Sequence, residues 1–114
     1  MKWMQTKVRQ HFLIIRMGCQ YCRIYYGVVE KFNAILKPKN RIKIIDVTDE
    51  MLYGIKSNKI TDFVDWRVTP TLYLDGIIVE GTLSKWDIIG RLKCYFESIG
   101  EKTKQIFVED GIHG

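Results

Sequence analysis

His11-Phe12-Leu13-Ile14-Ile15-Arg16-Met17-Gly18-Cys19-Gln20-Tyr21-Cys22 runs from a short apolar strand pattern into the start of a helix. Residues 11–16 read as a buried strand, a brief run whose centre, 12–15, is apolar and bounded by polar residues. Gly18 allows a tight exit turn. From Cys19 or Gln20 onward, Cys22, Tyr25, Tyr26, Val29, Phe32, Ile35 and Leu36 recur at helical spacing, and Pro38 with Asn40 marks the stop. Two cysteines one helical turn apart can close a disulfide. The first of them faces the unpaired N–H groups and the positive dipole end of the helix. That setting favours a thiolate, the form that attacks disulfides. Thiol–disulfide exchange at Cys19 and Cys22 is the chemistry this stretch predicts.

The remaining chain alternates in the same way. Residues 42–47 read as a second strand, and Thr48 or Asp49 is placed to cap a helix carrying Met51, Leu52 and Ile55. Thr71 to Leu74 and Ile77 to Glu80 flank Asp75-Gly76, a strong hairpin signal. Ser84 is expected to cap a last helix with Trp86, Ile89, Leu92, Phe96 and Ile99 inward, ended by Gly100. The order β-α-β-α-β-β-α predicts an α/β fold, with a central four-stranded mixed sheet flanked by helices. The first two strands are expected to be parallel through a right-handed crossover. A domain over residues 1–100 and a C-terminal tail over 101–114 are expected. In that tail, residues 106–108 offer a short extra strand or an unstructured stretch.

The totals fit one domain: 114 residues, 46% hydrophobic, 27% charged, net charge +5. No stretch approaches the ~20 apolar residues of a membrane span. Residues 12–15 are too short for a signal-peptide core, so a cytoplasmic location is expected. Lys37, Lys39, Arg41 and Lys43 crowd one connection and read as a solvated loop and strand edge. No nucleic-acid motif accompanies them, so neither nucleic acid nor membrane is an expected partner. Three cysteines argue against a structural disulfide framework. Cys94 reads as a small core or surface residue. Cys19, Cys22, Cys94 and a histidine lack the spacing of a second zinc-ligand pair, so no metal is expected.

Cys-x-x-Cys after the first strand, Thr69-Pro70 before the third, the Asp75-Gly76 hairpin, Gly81 and a final helix together resemble the thioredoxin/glutaredoxin superfamily, from about His11 to Phe96. The resemblance implies a thioredoxin-like fold and a cis Thr69–Pro70 bond against the cysteines. Thr69 would then offer its backbone to a bound peptide or to glutathione. Tyr21 matches the tyrosine of the glutaredoxin Cys-Pro-Tyr-Cys site, and Arg16 matches in charge a lysine three positions before the first cysteine. Gly81-Thr82-Leu83-Ser84-Lys85 looks like the thioredoxin segment entering its last helix. Three departures stand beside these matches. Leu13 occupies the place of the buried thioredoxin aspartate. Glu80-Gly81 replaces the glutaredoxin double glycine, and Leu83-Ser84 falls where its acidic residue is expected.

By this resemblance, Cys19 attacks and Cys22 resolves, with Arg16, Tyr21, Thr69, Pro70, Gly81 and Thr82 binding the substrate. No cofactor is implied beyond a redox-active Cys19–Cys22 disulfide, with glutathione or a flavoprotein reductase as electron donor. The expected substrates are protein disulfides or glutathione mixed disulfides, handled by a monomer. A disulfide oxidase or isomerase, and a redox-inactive interaction module on the same fold, stand as alternatives.

Overall fold

The computed structural model describes residues 9–53 and 68–106. Strand β1 (His11–Ile15) is followed by α1 (Gln20–Asn33), a 3-10 turn (Pro38–Asn40), β2 (Lys43–Asp46) and α2 (Thr48–Tyr53). Then come β3 (Thr71–Leu74), β4 (Ile77–Glu80) and α3 (Lys85–Ser98). This is the expected order. The four strands form one mixed sheet, β2-β1-β3-β4. β1 runs parallel to β2 and antiparallel to β3, and β4 returns antiparallel on β3.

β1 is apolar from Phe12 to Ile15 because the sheet is covered on both faces at its centre. Leu13 joins Tyr25, Val28, Val29, Phe32, Leu72, Leu92 and Phe96 in the main core, whereas Phe12 and Ile14 point the other way, beside Ile45 and Val47. Truncating a side chain as enclosed as Leu13 costs about 2–5 kcal/mol. The hairpin between β3 and β4 turns on Asp75 (φ 48°) and Gly76 (φ 103°), both left-handed. Two such residues are what a two-residue type I′ turn requires, and Asp-Gly supplies them at low cost.

α1 ends at Asn33, short of the predicted stop, yet Leu36 still reaches the core. The side chain of Asn33 acts as an extra strand partner. Its Nδ2 donates to the Ile42 carbonyl at 2.9 Å, and its Oδ1 accepts the Ile42 N–H at 2.8 Å. This pair fixes the entry to β2. The first N–H of α2 goes to the Asp46 carboxylate at 2.9 Å, so the cap comes from Asp46 rather than from Thr48 or Asp49. Lys37, Lys39, Arg41 and Lys43 are all exposed along the connection to β2 and on β2 itself.

Trp86 is the clear correction. It is 50% exposed, with the Lys85 ammonium 5.5 Å from its ring centre. The buried stripe of α3 is Ile88, Ile89, Leu92 and Phe96. At 100° per residue, the centre of that stripe lies roughly 100° around the helix from Trp86.

Residues 101–106 pack back on the domain, with Glu101, Thr103 and Ile106 buried. Glu101 accepts the Lys37 N–H at 3.2 Å and a second hydrogen bond from Asn40 Nδ2, both on the same oxygen. The Asn40 carbonyl in turn accepts from His11 Nδ1 at 2.9 Å, and Tyr95 donates its hydroxyl to His11 Nε2 at 2.8 Å. The carbonyl fixes which ring nitrogen carries the proton. A polar chain thus ties β1, the 3-10 turn, α3 and the segment after it. The expected inward side chains of Met51 and Ile55, and residues 107–108 of the expected extra strand, lie outside the described residues.

Candidate functional site

The parallel pairing of β1 and β2 brings the ends of both strands to one edge of the fold, and the loop Arg16–Gly18 crosses that edge into α1. The Val47 N–H donates to the Ile15 carbonyl at 2.8 Å, and the Met17 N–H donates to Thr48 Oγ1 at 2.8 Å. The start of α2 therefore holds the loop. Gly18 takes φ 79°, which a side chain resists, and it delivers Cys19 to the helix start.

Cys19 is the N-cap of α1, in extended conformation, and its Sγ accepts the Cys22 N–H at 3.2 Å. On its other side the thiol approaches the Thr69 carbonyl at 3.7 Å. The Thr69–Pro70 peptide is cis, and Pro70 is buried. Cys19 and Cys22 are both free thiols, buried at 8% and 3% exposure.

The two thiols are driven apart electrostatically. Burial pushes the Cys19 thiol up. The hydrogen bonds with Cys22 and with the Thr69 side chain and the charge of Arg16 outweigh that burial, and the thiol lies below its ordinary value. Cys22 is pushed up to about 11, first by burial and then by its bond to Cys19. The first sulfur is thus the easier of the two to ionise, and its neighbour the harder. The charge of Arg16 reaches Cys19, and its backbone N–H is aimed at Cys22.

The other expected binding residues lie at differing removes. Tyr21 is 37% exposed in the first turn of α1. The Gly81 carbonyl is held by Tyr25, whose hydroxyl donates to it at 3.0 Å. Thr82 stands exposed in the bend after β4, and among the described residues no hydrogen bond joins it to either cysteine. Leu13 is fully buried in the main core.

Two positioning residues escape a reading of the sequence. Tyr25 reads as core packing, yet its hydroxyl links α1 to the turn after β4. Burial raises that hydroxyl to about 12, so it stays a donor. Thr48 reads as a helix cap, yet it holds Met17. The only local hint is a polar atom on each side chain, placed where the chain returns to the edge carrying the cysteines. Cys94 is a free, exposed thiol on α3. Among the described residues no His, Cys, Asp and Glu side chains group to hold a metal ion, and no helix is long and apolar enough to cross a membrane.

Chemically, the arrangement offers a sulfur set up for attack at the head of α1 and a second sulfur one turn behind it. No family model and no curated protein match the chain. Among solved structures it is similar to one described as the crystal structure of the J-Trx1 fragment of ERdj5, with 15% identity and a TM-score of 0.47. The match covers 76% of this chain and 42% of that one, so the chain spans less than half the length of that structure. The order of elements, the β2-β1-β3-β4 sheet and the Cys-x-x-Cys pair at the head of α1 make this a thioredoxin-like fold.

Proposed function

We propose that the protein is a thiol–disulfide oxidoreductase working through a Cys19/Cys22 dithiol–disulfide cycle. The observation that carries this reading is Cys19 at the N-cap of α1, its sulfur bonded to the Cys22 N–H and lowered in pKa while Cys22 is raised. In the first step the Cys19 thiolate attacks one sulfur of a substrate disulfide. A Cys19–substrate disulfide forms, the substrate S–S bond breaks, and the leaving thiolate takes a proton. Cys22 then gives up its proton and attacks Cys19, and the second substrate thiol leaves. Two electrons pass from the dithiol to the substrate, and the protein is left as the Cys19–Cys22 disulfide. A thiol donor, glutathione or a dithiol presented by a flavoprotein reductase, returns it to the dithiol.

Protein disulfides are the proposed substrates. The Thr69 carbonyl beside the sulfur is a backbone group that an extended chain can pair with. Glutathione mixed disulfides have less support, because Leu83-Ser84 supplies no carboxylate for an amino group. A second reading, a disulfide oxidant, is favoured by the lowered Cys19 thiol itself. Stabilising the reduced form makes a pair more oxidising.

Insulin reduction and β-hydroxyethyl disulfide reduction test the activity. Cys22→Ser is expected to accumulate a mixed disulfide through Cys19, and Cys19→Ser to abolish exchange. An active Cys19→Ser protein would overturn the assignment. Inactivity of the unaltered protein in both assays, with no trapped adduct from Cys22→Ser, would leave a redox-inactive interaction module. The reduction potential, measured against glutathione, separates reductant from oxidant.

A further inference from the structure

Cys19 meets Thr69 on one side. On the other, the end of β1 and the outer face of α1 enclose a groove of about 440 Å³. Besides the cysteines, its main lining residues are Arg16, Met17, Arg23, Tyr26, Gly27 and Glu30. The last four lie at i, i+3, i+4 and i+7 and so share one helix face. Gly27 forms an open floor, since a Cβ there would meet nothing within 4 Å. Met17 is 74% and Tyr26 37% exposed, giving apolar surface on both walls.

The charge in the groove is graded. Arg16 and Arg23 stand exposed at the end nearest the sulfur, and among the described residues neither makes a salt bridge. The side-chain bond of Arg16 runs to the carbonyl of its neighbour Met17, at 3.4 Å. Glu30 lies at the far end, ~10 Å along the helix from Arg23, and is engaged by the Tyr26 hydroxyl. Among the described residues the charge beside Cys19 is therefore positive and without an acidic partner, with an apolar floor leading away from it.

We infer that this groove selects the substrate. It takes a polypeptide disulfide with an acidic residue close to the cysteine that Cys19 attacks, the carboxylate resting on Arg23 and Arg16 and the following chain lying over Met17, Gly27 and Tyr26. This inference rests on the redox reading above. Arg23 and Gly27 become specificity residues, and the chemistry at sulfur is unchanged.

The test uses disulfide-linked peptides identical except for Glu, Gln or Lys two positions from the reacting cysteine. Each kcat/KM is divided by that for β-hydroxyethyl disulfide, a small neutral substrate that needs no groove. The ratio is expected to fall from Glu to Gln to Lys, about fivefold end to end at low salt, and to flatten at high salt. Arg23→Gln should shrink the ordering to what Arg16 alone supplies, and Gly27→Leu, which fills the floor, should lower the ratio for all three peptides. The pH midpoint of Cys19 alkylation is followed in both variants. An effect acting through the thiolate would move it, and an effect through docking would not.

Equal ratios for the three peptides, an ordering undiminished by Arg23→Gln, or an ordering reduced together with a moved alkylation midpoint would each overturn the inference. So would a glutathione mixed disulfide outrunning every peptide. Equal ratios with brisk β-hydroxyethyl disulfide reduction sink the groove alone. No reduction of any substrate sinks the redox reading with it.

Discussion

Replacing Glu101 with alanine should loosen the whole end of the domain opposite the cysteines. The carboxylate is 7% exposed, and a single oxygen receives both the Lys37 N–H and Asn40 Nδ2. A hydrogen bond to a charged acceptor is worth roughly 1.5–3 kcal/mol net. The Lys37 amide is only partly buried, so water replaces its lost acceptor and the low end applies to it. Asn40 is 4% exposed and has little such recourse. Together the two bonds give a loss of about 3 kcal/mol. That is a large share of the roughly 5–15 kcal/mol that holds a small domain folded. In urea, with a slope of about 1.5 kcal/mol per molar, the midpoint should drop by about 2 M. Far-UV circular dichroism follows the transition. Because both donors converge on one oxygen, Glu101→Gln keeps an acceptor for each and should lose about half as much. A loss below about 0.5 kcal/mol for Glu101→Ala, the range of ordinary surface changes, would refute the claim that this carboxylate clamps the segment after α3 to the 3-10 turn.

Other outcomes follow from the same geometry. In a Cys94→Ser background, iodoacetamide should modify Cys19 with a midpoint below that of an ordinary thiol, the rate rising with pH as the thiolate fraction rises. Cys22 should follow only near pH 11, and mass spectrometry showing Cys22 modified first would reverse the two roles. Burial chiefly lowers His11 from 6.5, helped by Arg9 and opposed by Asn40 and Asp75. The unfolded chain therefore takes up this proton first. As pH falls below 6.5, this contribution to stability should decline until the folded-state value is passed, then level. His11→Gln should flatten that slope in urea titrations across pH, and an unchanged slope would count against it. Tyr25→Phe should cost about 1 kcal/mol by removing the bond to the Gly81 carbonyl, and an unchanged urea midpoint would show that the bond contributes nothing.

The parts legible in the sequence are those written in local pattern. The four apolar residues 12–15 could only be a covered strand, and Asp75-Gly76 could only turn tightly. The place of Cys19 at the start of α1 followed from a glycine, a cysteine and the helical spacing behind them. What escaped is made of polar pairs distant in sequence. Asn33 with Ile42, Tyr25 with Gly81, and His11 with Asn40 and Tyr95 each consist of residues unremarkable alone. Nothing at position 101 announces that its carboxylate meets residues more than sixty positions earlier. Trp86 misled for another reason. A large aromatic ring near a helix start suggests core, but the phase of α3 is set by Ile88, Leu92 and Phe96, which leave position 86 outside. The hairpin and both long helices needed no partner to be read, whereas the grip of Thr48 on Met17 needed the fold first.

The sulfur that reacts is also the acceptor that begins α1. While it is a thiolate, the Cys22 N–H donates to a charged atom, and the helix dipole gains a negative charge at its positive end. Once that sulfur joins another sulfur, the charge is gone and the bond is left with a weak neutral acceptor. Losing a helix cap costs about 1 kcal/mol, and here the loss is written and erased with every turnover. The first turn of α1 therefore carries a record of what Cys19 is bonded to. Amide hydrogen exchange at Cys22 should be slower in the dithiol than in a Cys19 adduct, making one backbone proton a gauge of the occupancy of the cycle.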